Sequence, residues 1–241
     1  MYRHEYKTTI NEQEVELLRR RLVHIMRRDS HADKNGGYFI RSLYFDDHKQ
    51  NAYFEKLEGL NEREKWRLRQ YNLEGIVRLE RKEKKSSYVR KDGVVLTNEE
   101  LQAILSGQST KLISSDKPLL RRFELARRLQ LLKPVQLVDY YREAFVLRTG
   151  NVRITFDRNL RAPLTMDNCF TSGFTAADVT IDRPAIAPLE HGLTILEVKY
   201  DGYLPAHIGQ LAILDGRTKL ANSKFILCCQ AAQRVAQNYV S

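Results

Sequence analysis

The stretch Lys65-Trp-Arg-Leu-Arg-Gln-Tyr71 alternates without a break. Lys65, Arg67, Arg69 and Tyr71 share one parity, and Trp66 and Leu68 the other. After the turn signal Asn72-Leu-Glu-Gly75, Arg78, Glu80, Lys82 and Lys84 alternate in the same way with Val77 and Leu79. Side chains of a strand point to opposite faces with a period of two. The pair therefore reads as a β-ribbon with one apolar face and one strongly cationic face. Like charges on neighbouring strands repel, so such a face needs water or a compensating polyanion.

The same pattern recurs along the chain. A strand is expected over Tyr2 to Ile10, with Arg3, Glu5 and Lys7 on one face. Asn11 with Glu14 reads as a capping box that opens a helix to about Arg28, with the stripe Val15, Leu18, Leu22, Ile25 and Met26 buried. His31 to Gly37 reads as loop, Tyr38 to Phe45 as a strand, and the residues around Tyr53, Phe54 and Leu57 as a short helix. Ser86 to Lys91 reads as a short strand turned by Asp92-Gly93. Thr97 with Glu100 opens a helix to about Leu105, and a further helix covers Lys117 to Leu132. Strands follow at Val135 to Leu147, Val152 to Asp157 and Gly192 to Tyr200; the first two form a hairpin through Thr149-Gly-Asn151. Asn159 to Leu189 has little periodicity and reads as loop with one short strand at most. Asp201 to Leu214 has room for a short helix. A final helix from Asn222 or Ser223 to Tyr239 buries Phe225, Ile226, Cys229, Ala232 and Val235. No repeat, low-complexity tract or linker interrupts the chain, so residues 1–241 are expected to form a single domain.

Charged residues thus sit in the middle of strands: Glu5, Lys7, Arg67, Arg69, Glu80, Lys82, Arg142, Arg153, Glu197 and Lys199. An open antiparallel sheet would give this face to water. Closing the sheet into a barrel would instead turn it inward, as a cationic lumen with a few carboxylates under outward apolar faces. A lumen of this kind must hold water and anions. The net charge of +10 agrees with an anionic partner. A hard divalent cation with phosphates typically uses only one or two protein carboxylates, which Glu197, Glu5 and Glu80 could supply; each could equally be a salt-bridge partner. There is no P-loop or dinucleotide fingerprint, and Cys169, Cys228 and Cys229 lack metal-ligand spacing. A charged N-terminus and the lack of a long apolar run point to a cytoplasmic protein.

In order along the chain stand Glu5-Tyr-Lys7, Arg67-Leu-Arg69, Glu80-Arg-Lys82, Tyr141-Arg-Glu-Ala-Phe145, Arg153 in Val-Arg-Ile-Thr-Phe-Asp-Arg, Glu197-Val-Lys199 and Ser223-Lys-Phe225. This set resembles the polyphosphate polymerase domain of the vacuolar transporter chaperone (VTC) complex in its stand-alone bacterial form, within the triphosphate tunnel, or CYTH, superfamily. The resemblance runs from Arg3 to the final helix. It implies an α+β fold: an antiparallel β-barrel tunnel with helices packed outside and a C-terminal helix. It also implies transfer of the terminal phosphate of ATP to a growing inorganic polyphosphate chain. By position, Arg67, Arg69, Arg142 and Arg153 would be catalytic. Lys7, Lys82, Lys199, Ser223 and Lys224 would bind phosphate, together with Lys91, though Arg90 fits almost as well. Glu197 would hold Mn2+ or Mg2+. The superfamily opens on Glu-x-Glu-x-Lys; here Arg3 replaces the first glutamate, which agrees with the polymerase branch and disfavours a triphosphate hydrolase. A non-catalytic receptor for polyphosphate or inositol phosphates remains the other alternative. Nucleic acid is not an expected partner, the protein is expected to act as a monomer, and chain export would need a membrane partner protein.

Overall fold

A computed structural model describes residues 3–72, 75–86, 88–108, 110–167, 169–170, 183–212, 220–221 and 223–238. The elements are β1 (Arg3–Ile10), α1 (Glu12–Leu22), β2 (Arg27–Arg28), β3 (Gly37–Asp46), α2 (Asn51–Leu57), β4 (Glu62–Tyr71), β5 (Val77–Lys85) and β6 (Tyr88–Val95). There follow α3 (Asn98–Leu105), α4 (Thr110–Ile113), α5 (Pro118–Gln130), β7 (Lys133–Leu147), β8 (Val152–Pro163), β9 (Ala185–Ile186), β10 (Thr194–Asp201), α6 (Ala206–Ala212) and α7 (Lys224–Asn238).

One antiparallel path runs β1-β10-β8-β7-β3-β4-β5-β6, with β2 added to β7 and β9 to β8. The hydrogen-bonded path ends at β1 and β6, so the sheet is curled rather than closed by backbone pairing among the described residues. The curl is visible in the electrostatics. Lys82, on β5 near one end of the path, lies within electrostatic reach of Glu5 and Lys7 on β1 at the other end. The result is the expected tunnel-like α+β architecture.

Each side of the curled sheet has its own apolar packing. Outside β3, β4 and β5, the residues Leu43, Phe45, Trp66, Leu68 and Leu79 meet α3 and α5. The Phe123 ring of α5 lies edge-on to Phe45 and Trp66, at 5.0 and 5.2 Å between centroids. Outside β1, β8 and β10, Tyr6, Ile154, Phe156, Leu196 and Val198 meet Val15, Leu18 and Leu22 of α1 and Ile208 of α6. The third cluster lies on the inner face. Tyr44, Val138, Tyr140, Leu160 and Ile195 pack against Phe225, Ile226, Leu227 and Cys228, so α7 plugs one end of the hollow.

Both capping boxes form, Asn11 with Glu14 and Thr97 with Glu100. Several boundaries differ from the sequence expectation. The first helix ends at Leu22, not Arg28, because Arg27 and Arg28 pair with Val146 and Phe145 of β7. β6 does not turn at Asp92-Gly93 but continues to Val95, with Asp92 opposite Arg81 and Gly93 opposite Glu80. β8 runs on to Pro163, pairing across an irregularity near Asp139 that restores the register at Arg161. The short helix α4 had no sequence signal. The first turn of α7 is buried on every side, Lys224 to Cys228, because it enters the plug; Cys229, Ala232 and Val235 are only half-buried. Asn222 and Tyr239, the outer limits expected for that helix, lie outside the described residues, as do residues 171–182 of the expected loop.

Candidate functional site

Antiparallel register decides which side chains share the hollow. Lys7 stands opposite Glu197, Arg142 opposite Asp157 and Tyr38, Arg67 opposite Tyr44 and Glu80, and Lys82 opposite Lys65 and Lys91. Directly opposed residues lie on the same face, so the charged parity of β4 and β5 continues through β1, β10, β8 and β7. The pairing also settles the choice between Arg90 and Lys91. Lys91 faces inward and its Nζ lies 2.9 Å from Glu80. Arg90 faces outward and donates to Asp92 at 2.9 Å.

Two buried knots of charge stand on this face. The first is centred on Glu80, which accepts from Arg67 Nε at 2.8 Å and Nη2 at 2.6 Å, with Arg69 Nη1 at 3.9 Å. Burial alone would raise the Glu80 pKa, but Arg67, Arg69 and Lys91 outweigh it and hold the carboxyl at about 2. Tyr44 and Ser42 complete the cradle: Arg67 Nη1 donates to Tyr44 Oη at 2.9 Å and Arg69 Nε to Ser42 Oγ at 3.0 Å. Arg69 Nη2 crosses to Tyr140 Oη at 3.3 Å.

The second knot joins Arg142, Asp157, Glu197, Lys199 and Lys224. Arg142 grips Asp157 with a fork of 2.6 and 2.7 Å. Lys224 Nζ sits 2.6 Å from Asp157 Oδ2 and 2.7 Å from Glu197 Oε1. Lys199 Nζ is 2.7 Å from Glu197 Oε2, with Lys7 at 3.5 Å and Arg142 at 3.7 Å from the same carboxylate. Against the cost of burial, Lys224, Lys199, Lys7 and Arg142 hold the Glu197 carboxyl well below the usual range. Burial would depress the Lys224 ammonium; Asp157 and then Glu197 raise it instead.

Other expected residues lie towards the openings. Arg153 donates to Asp29 and to Tyr38 Oη, the latter at 2.8 Å. Glu5 is half-exposed and pairs with Lys7 at 3.3 Å. Lys82 is solvent-exposed, yet crowding by protein lowers its pKa ahead of the opposing pull of Glu5. That combination describes a lysine in a water-accessible hollow. Ser223 precedes α7 and its Oγ accepts from the Ile226 amide at 3.4 Å, a cap that fixes the turn carrying Lys224. Gly37, at the start of β3, permits close approach at this end: a Cβ there would lie 2.5 Å from the Arg142 carbonyl oxygen.

Asp157 and Tyr140 carry no signal of their own in the sequence reading, and Lys65 is placed there only on the cationic face. Asp157 was read as the end of a strand rather than its middle, although it shares the parity of Arg153. Tyr140 shares the parity of Arg142 and places its ring 5.3 Å from that guanidinium. Lys65 has a buried Nζ with no hydrogen-bond partner among the described residues, 4.6 Å from the centroid of the Phe225 ring. Burial first, then Lys56 and Arg63, lower its pKa to about 7.

The chemistry of this hollow is that of an anion site. Cations outnumber carboxylates on the wall, and each carboxylate is held ionised by the guanidinium or ammonium groups beside it. Among the described residues no helix is long and apolar enough to cross a membrane, and no three acidic, histidine or cysteine side chains cluster as a ready-made metal cage.

No protein of curated function matches the chain. Among solved structures, a candidate adenylate cyclase from Bacillus halodurans is similar with a TM-score of 0.51 at 12% identity, covering 92% of this chain and 96% of that one. PH1819 from Pyrococcus horikoshii aligns over 95% of this chain and 99% of its own at 16% identity, with a TM-score of 0.47. At 12% identity the likeness to the first of these speaks for the fold alone. The family profile of the VTC domain matches residues 2–233, which takes in every strand, both charge knots and most of α7. The chain therefore belongs to the VTC domain family.

Proposed function

We propose that this protein is an ATP-dependent polyphosphate polymerase, which extends an inorganic polyphosphate chain inside the tunnel. The observation that carries the reading is the pair of charge knots facing one hollow, each built on buried carboxylates: Arg67–Glu80–Lys91 and Arg142–Asp157–Glu197–Lys224. Phosphoryl transfer depends on positioning and charge neutralisation more than on a covalent nucleophile. A wall of arginines and lysines supplies both. Arg67, Arg69 and Arg142 offer planar forks to phosphate oxygens, whereas Lys7, Lys82, Lys91 and Lys199 act as point charges. Arg153 stands towards an opening, placed to guide the phosphate tail.

The guanidinium groups of the wall are ion-paired. Glu80 and Asp157 hold Arg67 and Arg142 in fixed rotamers, so the guanidinium groups are set in place in advance. Such preorganisation reduces the reorganisation needed as charge builds on the transferring group. The aromatic and aliphatic plug under α7 packs against the inner face at one end of the hollow and carries Lys224 into it.

A divalent cation fits the donor set in chemical type. Glu197 is an ionised, buried oxygen donor on the wall, with Asp157 beside it. When bound, Mn2+ or Mg2+ would neutralise phosphate charge as the leaving group departs. ATP and polyphosphate are the proposed partners.

The test is incubation of the purified protein with ATP and MnCl2 or MgCl2, followed by gel analysis for long phosphate chains and a separate assay of free phosphate. Chains with little free phosphate support the polymerase. Free phosphate without chains would assign the tunnel to hydrolysis. Tight polyphosphate binding with neither product would leave only a receptor.

A further inference from the structure

Lys224 occupies an unusual position. Its single ammonium lies within 2.7 Å of both Asp157 and Glu197, two carboxylates from adjacent strands. All three side chains are buried: Asp157 is 0%, Glu197 4% and Lys224 8% exposed. The Tyr140 ring lies 5.1 Å from the ammonium at its centroid. A point between two carboxylate oxygens is also where a hard divalent cation would gain most. A single position cannot hold both charges at these distances, since like charges a few ångströms apart repel strongly in a site of this burial.

We propose that Lys224 is a tethered cation that fills the position between Glu197 and Asp157, so that Lys224 and a divalent metal ion exclude one another there. Metal is then admitted only when phosphate oxygens offer Lys224 another partner. The inference rests on the polymerase reading for its choice of metal and assigns Asp157 to the metal's surroundings alongside Glu197. The other groups facing the pair are accounted for. Arg142 holds Asp157 from β7, Lys199 holds the second oxygen of Glu197 from β10, and Lys7 approaches Glu197 at 3.5 Å from β1. None of these bridges the two carboxylates as Lys224 does; Arg142, the nearest to doing so, stands 3.7 Å from Glu197. The arrangement gives a binding order: the empty tunnel rejects metal, and the metal enters with the nucleotide.

The experiment measures nucleotide-free Mn2+ binding from the EPR signal of free Mn2+, at constant pH and ionic strength. Wild type, Lys224→Met, Lys224→Gln and the double variant Lys224→Met/Asp157→Asn are compared after circular dichroism has confirmed folding. Wild type should bind weakly. Both single variants should bind at least tenfold more tightly, and the double variant should lose that gain. Unchanged affinity in a folded Lys224 variant overturns the proposal, as does a gain that survives loss of Asp157. Should neither Lys224 variant fold, wild type decides the matter. A saturable Mn2+-induced rise in its melting temperature without nucleotide, abolished by Glu197→Gln, overturns the exclusion; no rise upholds it. Nucleotide takes no part in these measurements, so a negative result leaves the polymerase reading to its own assay.

Discussion

Replacement of Lys65 by methionine should stabilise the protein, and the gain should depend on pH in a defined direction. The Lys65 ammonium is buried on the inner face with no hydrogen-bond partner among the described residues, over the Phe225 ring. Its pKa falls from 10.5 to about 7, through burial first and then through Lys56 and Arg63. In the unfolded chain the lysine keeps its proton to about pH 10.5, whereas in the fold it is released near 7. Between these values the unfolded state binds more protons, so stability rises with pH. Below pH 7 both states are protonated and the full penalty applies. At about 1.4 kcal/mol per pH unit the ceiling is about 5 kcal/mol; local relaxation and water penetration bring the expected figure to roughly 2–5 kcal/mol. Methionine keeps the length and the aromatic contact without the charge. Urea unfolding of both proteins at pH 6, 7.5 and 9 reads the difference directly. Lys65→Met should be the more stable by roughly 2–5 kcal/mol at pH 6, and its advantage should shrink steadily towards pH 9. A variant less stable than wild type at pH 6, or an advantage that does not change with pH, would refute the reasoning.

Two further outcomes follow from the charge knots. Arg142→Lys keeps the charge but loses the fork that holds Asp157 at 2.6 and 2.7 Å, so synthesis should fall by roughly 30- to 1000-fold with a smaller change in ATP affinity; steady-state rates beside equilibrium ATP binding separate the two, and an affinity loss as large as the rate loss would contradict a role in the transition state. Glu197→Gln should abolish metal-dependent synthesis and also lower unfolding free energy by roughly 3–5 kcal/mol, because Lys199, Lys224, Lys7 and Arg142 lose a shared counter-charge; retained turnover would remove Glu197 from the site.

The inner face was legible because strand parity is local. Arg67, Arg69, Glu80 and Lys82 declare their common face within a few residues, and the register then carries that face to Lys7 and Glu197. The choice between Arg90 and Lys91 could not be made from parity alone. It depends on the register in which β6 pairs with β5, which sets Lys82 opposite Lys91, a matter of backbone geometry rather than composition. Asp157 escaped notice because an aspartate after Val-Arg-Ile-Thr-Phe looks like a strand terminus. Only its pairing with Arg142, across the hairpin, shows it to be mid-strand. The extent of the first helix was misjudged for a related reason: Arg27 and Arg28 fit a helix as well as a strand, and only the distant β7 decides between them. The unpartnered state of Lys65 is likewise invisible in sequence, since it depends on α7 covering it from far along the chain.

That placement of α7 bears on how the protein is made. Synthesis proceeds from the N-terminus, and all the strands of the curled sheet are encoded by residue 201, before the last helix leaves the ribosome. A nascent chain can therefore pair its whole wall while Asp157 and Glu197 still lack the ammonium that bridges them and the inner apolar surface of Tyr44, Val138 and Tyr140 still lacks its cover. The same turn, Lys224 to Cys228, supplies both missing parts at once. A product stopped before it would carry a wet apolar end, with Asp157 and Glu197 left to Arg142, Lys199 and Lys7 alone, and would present itself to proteases and chaperones as unfinished. Cover for the inner apolar surface and the ammonium that bridges the two carboxylates thus arrive together, on one turn of α7.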